Sequence, residues 1–229
     1  MVLINILGYY SEEKGGYLPA TAGFAVIWTA IIILLMLGAF VVSRRNSVRL
    51  QTTQLVFCAM AIALAAVTSM LKIYHFPFGG SITLFSMLFI TAVGYWYGTG
   101  IGVMTGVAYG FIQLMIDPQI YFPLQVIVDY VLAFGALGLS GIFAKSKNGL
   151  VKGYLVGVLG RYFFAVISGA LFFGEYAWDG WAPIPYSLAY NGAYIGAEMA
   201  LTLVVLAIPA VRNAFDYVKR NACVEQSHA

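Results

Sequence analysis

The sequence predicts an all-α fold: a polytopic integral membrane helix bundle. Three observations predict it. Of 229 residues, 62% are hydrophobic and 9% charged, against about a quarter charged in an average soluble domain, so the chain has too little polar surface to face water all round. Apolar runs long enough to cross a bilayer follow one another along most of its length. The Lys and Arg residues gather in alternate connections between those runs.

The apolar runs place seven spans at roughly 20–43, 49–71, 82–97, 99–116, 124–144, 151–173 and 186–210. The third and fourth are short, near the lower limit of about 17 residues for a crossing. Acidic residues rather than a basic segment precede the first run, which argues against a cleaved signal peptide. The second run carries Ala59, Ala61, Ala63 and Ala65, two overlapping pairs of small residues at i, i+4. Such pairs pack helices together within one chain or dock a partner membrane protein. In the fourth, Gly102, Gly106 and Gly110 recur at the same spacing and predict close helix approach. Gly98, Gly100 and Gly102 imitate a dinucleotide turn, but no strand precedes them.

Nine of the twelve Lys and Arg follow spans 1, 5 and 7: Arg44, Arg45, Arg49, Lys145, Lys147, Lys152, Arg212, Lys219 and Arg220. Glu12, Glu13, Asp117, Glu175 and Asp179 lie on the other side. The positive-inside rule then puts the C-terminus in the cytoplasm and the N-terminus outside, with the aromatic 174–185 loop extracellular. No basic run interleaved with aromatics points to nucleic acid. Cys58 and Cys223 are a poor disulfide pair, and His75 and His228 lie outside any metal-ligand spacing. Neither a metal nor a cofactor is implied.

Three ionisable residues fall inside predicted spans: Asp129, Arg161 and Glu198. A charge at a helix centre costs about 2.5–3.5 kcal/mol on insertion scales, so each should face the bundle interior. A buried Asp129–Arg161 ion pair that merely fixes packing is one reading; a ligand site is the other. For the site speak Arg161, Ala165, Gly169 and Phe173, which share a helix face at i, i+4, i+8 and i+12. Small residues beside a ring make a slot for a flat ligand. Tyr186, Tyr190, Asn191 and Tyr194 cluster near the outer end of the last span. Trp178 and Trp181 also suit an interfacial aromatic belt, but a belt has no use for the amide of Asn191. Together these side chains suit a small, flat, polar heterocycle, a cationic one included.

Four segments in order carry a resemblance: GGSITLFSM at 79–87, QVIVDYVLAFGALGLSG at 125–141, RYFFAVISGALFF at 161–173 and GEYAWDGWAPIPYSLAYNGAYIGAE at 174–198. They resemble the thiamine-specific S component, the substrate-binding subunit, of energy-coupling-factor (ECF) vitamin transporters. The resemblance implies a six-helix S-component core at 48–211. Residues 1–47 would add an extracellular N-terminus and one more transmembrane helix, and 212–229 a cytoplasmic tail. It implies high-affinity thiamine capture from the extracellular side by a plasma-membrane subunit of an ABC importer. The partners would be a transmembrane coupling protein and a pair of ATPase subunits. By the same resemblance Asp129, Tyr130, Arg161, Gly169, Phe173, Tyr186 and Asn191 line the thiamine site, while Ala59 and Ala63 dock the coupling protein. Ala165 stands where the family often carries a histidine, and Tyr130 and Tyr190 are the rings placed to compensate.

The chain lacks a G-x-x-x-x-G-K-[ST] loop, so ATP hydrolysis falls to partners. Its predicted spans pair no nucleophile with a base, so no enzyme is expected. A stand-alone, proton-coupled secondary transporter, with Asp129 and Glu198 as relays, is the second reading. The inverted repeats common in such transporters are not visible in the sequence.

Overall fold

A computed structural model describes residues 9–11, 16–18, 51–76 and 80–224. The predicted first span at 20–43 lies outside the described residues. The chain divides into two compact units, Met1–Gln51 with Ile120–Pro123, and Thr52–Gln119 with Leu124–Ala229. In the first, β1 (Tyr9–Ser11) pairs antiparallel with β2 (Gly16–Leu18). The second is the helix bundle.

The bundle opens with α1 (Thr52–Met70), followed by a hairpin of β3 (Lys72–His75) and β4 (Ser81–Thr83). Then come α2 (Ser86–Tyr97), α3 (Thr99–Ile116), α4 (Leu124–Phe143), α5 (Gly149–Phe172), α6 (Pro183–Ala207) and α7 (Pro209–Val224). Five of them, α1, α3, α4, α5 and α6, are long and apolar enough to cross a membrane.

The structure shortens the helix of the third predicted span. The sequence places a crossing at 82–97, but residues 81–83 form a strand and α2 has 12 residues, about 18 Å of helix. It is the core of the bundle, packed by α1, α3, α4 and α5, with Met87, Ile90, Ala92 and Val93 fully buried. An all-apolar run suits a helix surrounded by protein as well as one surrounded by lipid, so hydropathy cannot separate the two. Gly98 ends α2 with φ +89, a conformation L side chains rarely adopt, and lets α3 start at once in a new direction.

The glycine stripe of α3 packs backbone against backbone. A Cβ at Gly106 would overlap the Phe134 carbonyl, and one at Gly110 the Tyr130 carbonyl. This contact presses on the part of α4 that departs from α-geometry: Ile127–Leu132 is π-helical. Single π turns inside helices recur at functional sites, and this one carries Asp129 and Tyr130.

Residues 212–224, part of the stretch read from sequence as a tail, belong to the amphipathic helix α7. It is anchored on the bundle by Tyr95 Oη to Asp216 Oδ1 (2.8 Å), Trp96 Nε1 to the Phe215 carbonyl (3.2 Å), and Lys219 Nζ to the Ala144 carbonyl.

Candidate functional site

One cavity in the bundle is bordered by the hairpin, α3, α4, α5 and α6, and all nine ligand-site residues singled out from the sequence line it. Asp129 and Tyr130 come from the π turn of α4. Arg161, Ala165, Gly169 and Phe173 come from one face of α5 and its C-cap, as their spacing predicts. Tyr186, Tyr190 and Asn191 come from the first turns of α6, which opens with Pro183 at its N-terminus, where a missing N–H costs nothing.

The contacts differ residue by residue. Asp129 Oδ2 accepts a hydrogen bond from Gln125 Nε2 at 2.7 Å. Arg161 lies over the Phe134 ring, 4.3 Å from its centroid. The Asp129–Arg161 ion pair, the alternative to a ligand site, is not formed; among the described residues the salt bridge is Lys72–Asp117. Tyr130 is buried and stacks on Phe134 with centroids 6.3 Å apart. Its hydroxyl donates to the Asp117 carbonyl (3.0 Å) and accepts from the Gln119 N–H (2.9 Å), so it also holds the end of α3 in place.

Asn191 ties α6 to α5. Its Nδ2 donates to the carbonyls of Ala165 (3.2 Å) and Ser187 (2.9 Å), and its Oδ1 accepts from Tyr194 Oη (2.7 Å). The closeness of the two helices requires Gly169, where a Cβ would overlap Ser187 Oγ and stand 3.0 Å from Asn191 Nδ2. Tyr190 Oη accepts from the Gly80 N–H at 3.3 Å, joining α6 to the hairpin. Rings of Tyr186, Tyr190 and Tyr194 follow one another at 5.7 and 5.9 Å, and Trp178 meets Tyr186 edge-on at 5.3 Å.

Glu198, the third intramembrane charge, has a different place. It accepts from Thr83 Oγ1 (2.6 Å), Ser86 Oγ (3.0 Å) and the Met87 N–H (3.2 Å). It thus caps α2, whose own N-cap residue, Phe85, makes no side-chain cap bond.

Sequence reasoning misses part of the lining: Lys72, Gln113, Asp117, Gln119, Gln125 and Ser168. Gln113 Nε2 bonds Ser69 Oγ (2.7 Å) and Tyr109 Oη (2.6 Å), tying α3 to α1. One signal is present: Gln125 lies four residues before Asp129, a spacing at which Gln and Asp side chains meet on a helix. The rest are polar residues at helix ends, where polarity is ordinary. For Asp117, burial acts to raise the carboxyl, but hydrogen bonds from Lys72 and Gln119 more than offset it and leave it below the usual carboxylate range.

The two alanine pairs of α1 separate. Ala61 and Ala65 are buried, whereas Ala59 and Ala63 are exposed on the outer face, among Leu55, Val56, Met60 and Leu64.

Residues 55–216 match the family model described as "Thiamine transporter protein (Thia_YuaJ)". The chain belongs to that family. The thiamine transporter ThiT of Bacillus subtilis is 32% identical over 167 residues, 67% of this chain and 85% of that protein. The thiamine transporter ThiT of Lacticaseibacillus paracasei is 34% identical over 99 residues, 38% of this chain and 49% of that protein. A solved structure of ThiT from Listeria monocytogenes shares the fold, with a TM-score of 0.58, 24% identity, and 67% of this chain and 90% of that chain covered. As a member of the thiamine transporter family, the chain is a multi-pass membrane transport protein and not an enzyme.

Proposed function

We propose that this chain is the substrate-capturing membrane component of an ATP-driven vitamin importer and binds thiamine in the cavity between the hairpin and helices α3 to α6. One observation carries the reading. Nine residues that the sequence singles out, spread over three separate segments, border a single cavity. Family membership supplies the ligand.

Thiamine is a flat aminopyrimidine joined to a cationic thiazolium. Asp129 supplies the negative charge opposite the thiazolium, and attraction across a few ångströms is far stronger in a site shielded from water than in bulk. Phe173 and the tyrosines of α6 supply ring faces for stacking. Tyr186 lines the same cavity, and its hydroxyl can meet a ring nitrogen or amino group.

The cavity opens to the outside and the C-terminus is cytoplasmic. Along α4, the 14 residues from Asp129 to Phe143 separate the cavity by about 21 Å from the basic connection holding Lys145 and Lys147. Helix α7, with Arg212, Lys219 and Arg220, is anchored at that basic end. Cations at one end of a bundle mark its cytoplasmic side.

Energy enters through partners: a coupling membrane protein that meets the outer face of α1 at Ala59 and Ala63, and a pair of ATPase subunits. Small residues on a lipid-facing stripe let a partner helix approach closely. Titration of the purified protein with thiamine, followed by tryptophan fluorescence, tests capture. Saturable 1:1 binding with submicromolar Kd is expected, since Trp178 abuts Tyr186. Silence toward thiamine with a clear response to another vitamin overturns it. Coupling is tested with Ala59→Leu and Ala63→Leu, which should bind thiamine normally in detergent yet lose ATP-driven uptake. Loss of binding in detergent would mean that these alanines pack the chain's own core.

A further inference from the structure

Gln125 is the donor that holds the Asp129 carboxylate, and its geometry is unusual for a side chain at the wall of a cavity. It is 1% exposed, so its amide has no access to bulk water. Its Nε2 donates twice, to Asp129 Oδ2 at 2.7 Å and to the Gln119 carbonyl at 3.0 Å. Both hydrogens of one amide nitrogen are therefore committed, one to the charged group and one to the main chain beyond α3. That main chain is itself fixed. The Gln119 side chain donates to Asp117 Oδ1 at 3.1 Å, the Gln119 N–H meets Tyr130 Oη at 2.9 Å, and Asp117 pairs with Lys72 of the hairpin. The carboxylate thus hangs on a rigid chain of bonds that runs from α4 to the hairpin.

We propose that Gln125 is a positioning residue for recognition of the ligand's positive charge: it holds the Asp129 carboxylate in one rotamer at the wall of the cavity. The inference rests on the thiamine reading given above. A donor anchored to main chain removes the rotamer freedom that binding would otherwise have to freeze, and it keeps the carboxylate oxygens where a cationic ring can meet them. Gln125 reaches Asp129 from one turn earlier on the same helix, at a normal hydrogen-bond distance of 2.7 Å.

The consequence is selective. Removing the amide should weaken a cationic ligand and leave an uncharged ligand of the same shape nearly unaffected. A residue that only supported the fold would weaken both. The test uses the full-length protein in detergent and two probes, thiamine and an uncharged isostere carrying thiophene in place of the thiazolium. Gln125→Met keeps length and removes the donors. Gln125→Asn keeps the amide but is one methylene too short to reach both acceptors, and carries the test if the Met variant does not fold. Asp129→Asn is measured alongside.

Each Gln125 variant should lose at least about tenfold in affinity for thiamine, the fold-change of a lost hydrogen bond to a charged group, and less than about threefold for the isostere. Equal losses for both probes, or unchanged thiamine affinity, overturn the positioning role. If Asp129→Asn itself binds thiamine like the wild type, the assignment of Asp129 to the thiazolium fails, and the inference falls with it. If Asp129→Asn loses thiamine while the Gln125 variants keep their preference for charge, the inference alone is wrong.

Discussion

Asp129 and Glu198 are both carboxylates within membrane-spanning helices, and the same rule singles out both. Their surroundings differ in kind. Glu198 is 3% exposed and takes three donors, from Thr83, Ser86 and the Met87 main chain. Asp129 is half-buried, is held by Gln125 from its own helix, and borders the cavity. An ionised carboxylate has about four lone-pair sites. Where the protein fills most of them, the charge belongs to the fold; where it leaves some open toward a cavity, the charge is accessible to a ligand there. The comparison also weakens the proton-relay reading of Glu198, because a group locked into a helix cap has no route by which to pass a proton on.

The largest effect expected from breaking this contrast is on stability, at Glu198. Glu198→Ala strips α2 of its cap and leaves Thr83, Ser86 and Met87 N–H without their acceptor. The loss should be on the order of 3 kcal/mol or more, read as a clear fall in Tm in detergent. Thiamine affinity of the folded fraction should stay within about threefold. A variant with normal Tm and lost affinity would move Glu198 into the binding site.

Next comes the mirror-image variant. Asp129→Asn should cost about 2–3 kcal/mol of thiamine binding, roughly 30- to 150-fold in Kd, with ligand-free Tm hardly changed. Calorimetry and a melting curve on the same preparation decide it. A lowered ligand-free Tm with unchanged Kd would make Asp129 a second Glu198.

Gly169→Ala sharpens the boundary between the two kinds of site, since it strikes where fold and ligand share a surface. Its Cβ would overlap Ser187 Oγ and crowd Asn191. Overpacking of this sort costs about 1–3 kcal/mol, and forcing α6 away from α5 also widens the cavity. Both Tm and thiamine affinity should fall; a change in only one of them would show that the close approach serves that one alone.

The smallest effect concerns Asp117, a carboxylate at the rim outside the spans. Its pKa lies below the unfolded value of about 3.9. A depressed pKa contributes stability that is present above the unfolded pKa and is lost as pH falls through the folded one. Tm should therefore hold steady down to about pH 4 and fall below it, and Lys72→Met should reduce that acid-dependent part. Both side chains are about a third exposed, at 34% and 31%, so the pair is worth less than about 1 kcal/mol. A wild type and a Lys72→Met variant with the same fall below pH 4 would remove Lys72 as the cause.

The site is more legible in the sequence than the fold around it. Arg161, Ala165, Gly169 and Phe173 share a face because helical spacing is a local property, and Asn191 stands out because a lipid-facing belt has no use for an amide. Gln119, Asp117 and Lys72 are not legible. Each is an ordinary polar residue at the end of an element, and only the fold brings Lys72 across 45 residues to Asp117. The π turn at Ile127–Leu132 leaves no trace in hydropathy either, because it is a main-chain feature, lying where α4 meets α3 at Gly110.

By itself the sequence determined that the chain lives in a membrane, roughly where its helices run, and which side chains are too polar to face lipid. Those properties follow from composition and from periodicity over a few turns. Tertiary structure alone decided that α2 is a short helix packed on its sides by α1, α3, α4 and α5, and that Ala61 and Ala65 turn inward while Ala59 and Ala63 turn out. It also decided that of two intramembrane carboxylates one caps a helix and the other borders a cavity. Glu198 meets its donors across 111 to 115 residues of chain, and Asp129 meets its donor four residues away. Which lone pairs remain open depends on what the fold carries to them, and that is a property of packing, not of neighbours in sequence.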